Sequence, residues 1–158
     1  MDREQRITYW EEAKTLANIA RRTIDLQVKR LQCNEPEILE FIMQPVSDFH
    51  FLITAVASLR KAADLACRAS DISEEIAAFD NAVPDWRQIR NTFEHIDEYW
   101  QRRGRNNTIR PGDLASMVFG PEIEWAGMRM DLQATRTAAD DLFIAIKSIW
   151  PLPNDRSE

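Results

Sequence analysis

Apolar residues recur at helical spacing from about Arg3 to Cys33, at Ile7, Trp10, Leu16, Ile19, Ile24, Leu26 and Leu31, with charges filling the other faces. This pattern predicts a long amphipathic first helix. Pro36 can begin a short second piece, Glu37 to Met43, and Pro45 is expected to end it. Ser47 or Asp48 then reads as the cap of a helix to about Ala69. The first half of that helix, Phe49 to Val56, is apolar almost all round, so it belongs at the centre of a bundle or in a subunit interface. Asp71 and Ser73 signal a short helix through Phe79, and Pro84 opens another that ends near Arg103-Gly104.

After Gly104 the chain changes character. Arg105-Asn106-Asn107 and Arg110-Pro111-Gly112 are turn-forming. Gly120-Pro121 separates Ser116–Phe119 from Glu122–Trp125, which predicts a small β-hairpin inserted between helices, within about 104–130. Asp131 caps a last helix to Trp150, stopped by Pro151 and Pro153. The expected fold is all-α: an up-and-down bundle of four main helices with short extra helices and the hairpin insertion. It is read as one domain over 1–153, followed by a polar tail, 154–158.

Placed on a helical wheel, Trp86, Ile89, Phe93, Ile96 and Trp100 share one narrow arc, which is expected to face the core. Arg90 and Asp97 lie at its edge. Arg87, Asn91, Glu94, His95, Glu98 and Arg102 fall on the opposite side. Asn91 and His95 are neighbours at i and i+4, as are Arg90 and Glu94. His95 is one of only two histidines and is therefore not expected in the core.

Composition narrows what this face can do. The 158-residue chain has a net charge of −6, which argues against coating nucleic acid nonspecifically. Locally the balance reverses: from Trp86 to Arg110 six arginines stand against three carboxylates, a balance of +3, which leaves −9 elsewhere. Arg102-Arg103-Gly104-Arg105 can take RNA phosphates, or it can offset the dipole of a helix C-terminus. Likewise Arg90–Glu94 can be a plain surface ion pair. Histidine can act as general acid or base near neutral pH, and arginine matches phosphate oxygens with a planar fork of donors.

Arg90-Asn91-x-x-x-His95, on a main helix of a small helical chain, resembles the HEPN family, whose hallmark is an arginine, a polar residue, and a histidine after four to six intervening positions. The likeness covers the helical three-quarters of the chain, and Arg90 to Glu98 looks like standalone bacterial members. It implies a homodimer with facing motif helices and metal-independent endoribonuclease activity, often in toxin–antitoxin or other defence systems. Arg90 and His95 are then the catalytic pair, and Asn91 supports His95 or contacts substrate. Arg87, Arg102, Arg103 and Arg105 are the remaining candidate substrate contacts, on charge. Cleavage proceeds through the 2′-hydroxyl at a dimer cleft, with no cofactor or metal. Other members are noncatalytic modules that bind a partner protein or a small ligand, which is the alternative reading. The segment from about Gly104 to Met130 departs from the minimal family bundle, and Glu94, Asp97 and Glu98 crowd the motif.

Elsewhere the chemistry is thin. His50, between two phenylalanines, reads as a hydrogen-bonded helix-start histidine. Trp125 in the hairpin can stack on a base, though packing is the plainer reading. Cys33 and Cys67 lack zinc-site spacing and read most plainly as reduced thiols of a cytoplasmic protein, with a disulfide between two helices as the alternative. The charged N-terminus predicts no signal peptide, and the longest apolar run is too short to span a bilayer.

Overall fold

Buried positions on the two longest helices alternate three and four residues apart. Helix α1 (Arg3–Gln32) buries Ala13, Ala17, Ala20, Ile24, Gln27 and Leu31, and α2 (Gln44–Cys67) buries Phe49, Leu52, Val56, Leu59, Ala63 and Ala66. That spacing keeps one stripe of each helix facing its partner over many turns. The helices run antiparallel: Arg30 Nε meets Asp48 Oδ1 at 3.0 Å at one end, and Arg6 Nε donates to the Ala69 carbonyl at 2.9 Å at the other. Large residues counted from the pattern as part of the apolar face, Ile19 and Leu26, are exposed; the alanines form the seam instead.

The computed structural model describes residues 1–33 and 43–150. The predicted piece from Glu37 lies outside them, apart from Met43, and so do Pro151, Pro153 and the polar tail. Pro45 itself falls within a helix. It sits in the first turn of α2, where its missing N–H costs nothing. Neither Ser47 nor Asp48 caps that helix; Asp48 lies inside it, buried, and takes Arg30 as its counter-ion.

The chain continues through α3 (Ser73–Ala82), α4 (Trp86–Glu94), α5 (Ile96–Trp100) and α6 (Pro111–Leu114). A three-stranded antiparallel sheet follows: β1 (Met117–Val118), β2 (Glu122–Trp125) and β3 (Met128–Asp131), in that order. Helix α7 (Leu132–Ser148) closes the fold against α1 and α3. The chain is thus mostly helical with one small sheet. The sheet includes a second hairpin, between β2 and β3, that the pattern did not predict. Its two-residue loop, Ala126-Gly127, has positive φ at both positions (51° and 79°), the turn whose twist suits paired strands. Asp131 ends β3 and also caps α7, accepting from Ala134 N at 2.6 Å.

α7 is fixed to α1 by Arg21 Nε–Asp140 Oδ1 and Arg136–Asp25 Oδ1, both at 2.7 Å, and by the Trp10 indole N–H on the Ile146 carbonyl at 3.2 Å. Trp150, expected as part of the last helix, lies past its end and stacks half-exposed on Trp10 at 4.9 Å. The Lys29 hydrogen bond, then the charges of Arg136, Lys29 and Arg21, hold the Asp25 carboxyl below its ordinary range against the opposing effect of burial.

Two outcomes follow from these contacts. Ala17→Leu forces the α1–α2 seam apart and lowers unfolding free energy by roughly 1–3 kcal/mol in urea titration, while Ile19→Gln, at an exposed position, changes it by less than about 0.5 kcal/mol. Asp25 stabilises the fold at pH values above its unfolded pKa, and that contribution disappears as pH falls through the lower folded value. Asp25→Asn therefore lowers the thermal midpoint at pH 7 by about 2–4 °C, and the difference from wild type closes in strongly acid buffer.

Candidate functional site

Helix α4, which carries the motif, is tethered at both ends. Asp80, on α3, accepts from the Trp86 indole at 3.1 Å, from Arg60 Nε at 3.2 Å and from Arg87 at 2.8 Å, joining α2, α3 and α4 at one carboxylate. Asp85, just before α4, accepts the Arg129 backbone N–H of β3 at 2.8 Å. At the other end Phe93 lies half-buried in an aromatic cluster, 4.3 Å from Trp125, 5.0 Å from His50 and 5.8 Å from Phe49 between ring centroids. Trp125 is buried and its indole donates to the Leu114 carbonyl at 3.2 Å, so it packs and offers no face to a base. His50 is exposed and has no side-chain hydrogen bond among the described residues. Its role is the stack on Phe93, which corrects the expectation of a hydrogen-bonded histidine.

The predicted continuous helix from Pro84 to Arg103 breaks at His95, whose φ and ψ of −120° and 28° end α4. Its N–H still bonds the Asn91 carbonyl at 3.1 Å, and its own carbonyl starts α5 by accepting from Glu98 and Tyr99. The break shifts the helical phase. Trp86 and Ile89 are buried as expected and Phe93 and Ile96 are half-buried, but Trp100 is 50% exposed and Tyr99 is buried in its place.

Asn91 and His95 open into a cleft of about 400 Å³ together with Arg87 and Arg105. The His95 Nδ1 faces Glu98 Oε1 at 3.3 Å. A carboxylate only accepts, so Nδ1 carries the hydrogen and, in the neutral ring, Nε2 keeps the lone pair. Two arginines, of which Arg87 also serves Asp80, share the recess with His95 and Glu98, an arrangement that can hold an anionic group beside a proton-transfer residue.

Arg90 is not in this cleft. Its guanidinium is held by Glu94, with Nε and Nη2 at 2.9 and 2.8 Å from Oε1, in a separate groove between α2 and α4 that Arg60 and Lys61 also line. Arg102 lines an adjoining recess, while Arg103 bonds Gln101 and lines neither. Among the described residues no three His, Cys, Asp or Glu side chains gather as a metal site. Cys33 and Cys67 are free thiols, and no described helix is long and apolar enough to cross a membrane.

The sequence reading missed three wall residues, Gln88, Tyr99 and Asn106. Gln88 precedes Asn91 by three and Tyr99 follows His95 by four, so helical spacing carried a signal for both. Asn106 arrives through a loop fold that no periodicity announces. That fold depends on Gly104: a β-carbon there would overlap the Tyr99 ring. The Tyr99 hydroxyl then accepts from Asn106 N at 3.4 Å, and Arg102 adopts a left-handed φ of 57° to turn the chain.

Compared with protein-family models, with curated proteins and with solved structures, the chain finds no match. The site therefore stands on its own geometry. Gly104→Ala is expected to push the 101–110 loop off Tyr99 and to open the cleft. Near-ultraviolet circular dichroism reads the change as a loss of tyrosine signal, and limited proteolysis as faster cutting within the loop, with the helical far-ultraviolet signal kept.

Proposed function

We propose that this chain is a HEPN-like, metal-independent endoribonuclease, and that the cleft around His95 is where it cleaves RNA. The single observation that carries this reading is that His95 shares one recess with Asn91, Arg87 and Arg105, joining a proton-transfer group to two phosphate-binding cations. In the proposed reaction His95 Nε2 takes the proton of a ribose 2′-hydroxyl, whose oxygen attacks the adjacent phosphorus. The 5′-oxygen leaves with a proton from a second acid, and a 2′,3′-cyclic phosphate remains. Arg87 and Arg105 hold the non-bridging oxygens as charge builds on them. A homodimer with facing motifs supplies the second acid as a second His95. An up-and-down arrangement of four main helices, with α4 and α5 together as the fourth, goes with this reading. So do a cytoplasmic site of action, a toxin or defence role and a cognate antitoxin or other protein partner.

A second reading has its own support. Arg90, the other half of the motif, is engaged by Glu94 and turned from the cleft. That favours a noncatalytic dimer which keeps the cleft to bind a small ligand or a partner protein.

Purified protein incubated with single-stranded and structured RNA in EDTA separates the two. The nuclease reading expects products ending in 2′,3′-cyclic phosphate, and a loss of about a hundredfold or more in His95→Ala. It also expects a raised KM in Arg87→Ala and relief of toxicity on expression of His95→Ala. Arg90→Ala reports whether Glu94 releases its arginine for catalysis: activity lost with His95→Ala but kept in Arg90→Ala assigns Arg90 to the ion pair alone. Cleavage by His95→Ala at the wild-type rate identifies a contaminant and sinks the enzyme reading.

A further inference from the structure

A second recess of about 370 Å³ adjoins the His95 cleft and shares Tyr99 and Asn106 with it as a common wall. Arg102 and Arg110 line it, and the side-chain amide of Asn107 is also on its surface. Several basic side chains gather here without a carboxylate. Arg21, Arg30, Arg60, Arg87, Arg90 and others each have a carboxylate within ion-pairing distance. Arg102, Arg105 and Arg110 form no such pair among the described residues, although the chain carries an excess of acids. Four arginines within nine residues, Arg102, Arg103, Arg105 and Arg110, thus have no carboxylate partner among the described residues, and the loop that Gly104 sets against Tyr99 is locally positive and attractive to an anion.

We propose that this recess is a second phosphate subsite, and that the ligand of the combined groove is an extended single-stranded RNA. The inference rests on the phosphodiester reading of the His95 cleft and adds the path of the strand. One phosphate lies between Arg87 and Arg105 beside His95. The strand then crosses Tyr99 and Asn106, and a neighbouring phosphate lies between Arg102 and Arg110. Recesses of this size admit a nucleotide unit each. Asn106 Oδ1 accepts from Thr108 N and Oγ1 at 3.0 and 2.7 Å, which leaves its amide N–H groups, with the side chain of Asn107, for an unpaired base edge that a single strand exposes and a duplex does not.

The test measures binding by fluorescence anisotropy in EDTA, using 2′-O-methyl oligouridylates of two and six nucleotides, which cannot be cleaved through the 2′-oxygen. The hexamer is expected to bind about tenfold or more tighter than the dinucleotide. Arg102→Gln/Arg110→Gln removes that advantage, lowers the slope of log affinity against log salt by about 1.4, and leaves dinucleotide binding unchanged. Arg87→Gln/Arg105→Gln weakens both lengths. Hexamer affinity and salt slope unchanged in Arg102→Gln/Arg110→Gln overturn the second subsite while sparing the cleft. An RNA duplex that competes as well as the hexamer overturns the single-strand assignment. If neither oligonucleotide binds wild-type protein, the phosphodiester reading falls, and this inference with it.

Discussion

The alanine seam between α1 and α2 is the contact on which the other elements depend. Ala13, Ala17, Ala62, Ala63 and Ala66 have no exposed surface, and side chains this small let two helices approach closely over most of their length. The seam leaves each helix a second face. On α1 that face carries Trp10, Arg21 and Asp25 and receives α7. On α2, Phe49 at one end of the stripe meets Phe93, and Arg60 meets the Asp80 carboxylate that also holds Trp86 and Arg87. The orientation of the motif helix is thus set one layer away, by residues without any functional group.

Much of this was legible, and the exceptions have specific physical causes. Helix α1 and α7 announce themselves by apolar spacing and by an aspartate cap, and β2 by strict alternation of burial. The alanine seam was hidden because alanine adds little to a hydrophobic pattern, so Ile19 and Leu26 attracted the attention that belonged to smaller neighbours. Pro45 gave no sign of the start of α2, because proline in the first turn of a helix reads in sequence like a stop. The second hairpin was missed because its first loop residue is Ala126, a side chain that rarely takes positive φ.

The site divides along the same line. Arg87, Asn91 and His95 lie on one helical row, so their convergence could be read from spacing. Arg105 joins them only because Gly104 lets the returning loop lie against Tyr99, a tertiary contact with no local signature. The break at His95 has neither glycine nor proline to mark it. It accommodates two competing anchors, Phe93 in its aromatic cluster and Tyr99 against the loop, which an unbroken helix cannot satisfy at once. Arg90, five residues before His95, points into the groove beside α2 and takes Glu94, its i+4 neighbour.

Asp131 belongs to the sheet and to α7 at once, with no intervening residue to act as a joint. Strand β3 and α7 are therefore joined as the two arms of one bent bracket. Its short arm holds the start of α4 through the Arg129 N–H on Asp85, and the neighbouring strand presses Trp125 against Phe93 just ahead of His95. Its long arm lies along α1. The start of the histidine's helix is thus tied to α1 through one strand, one shared residue and one helix.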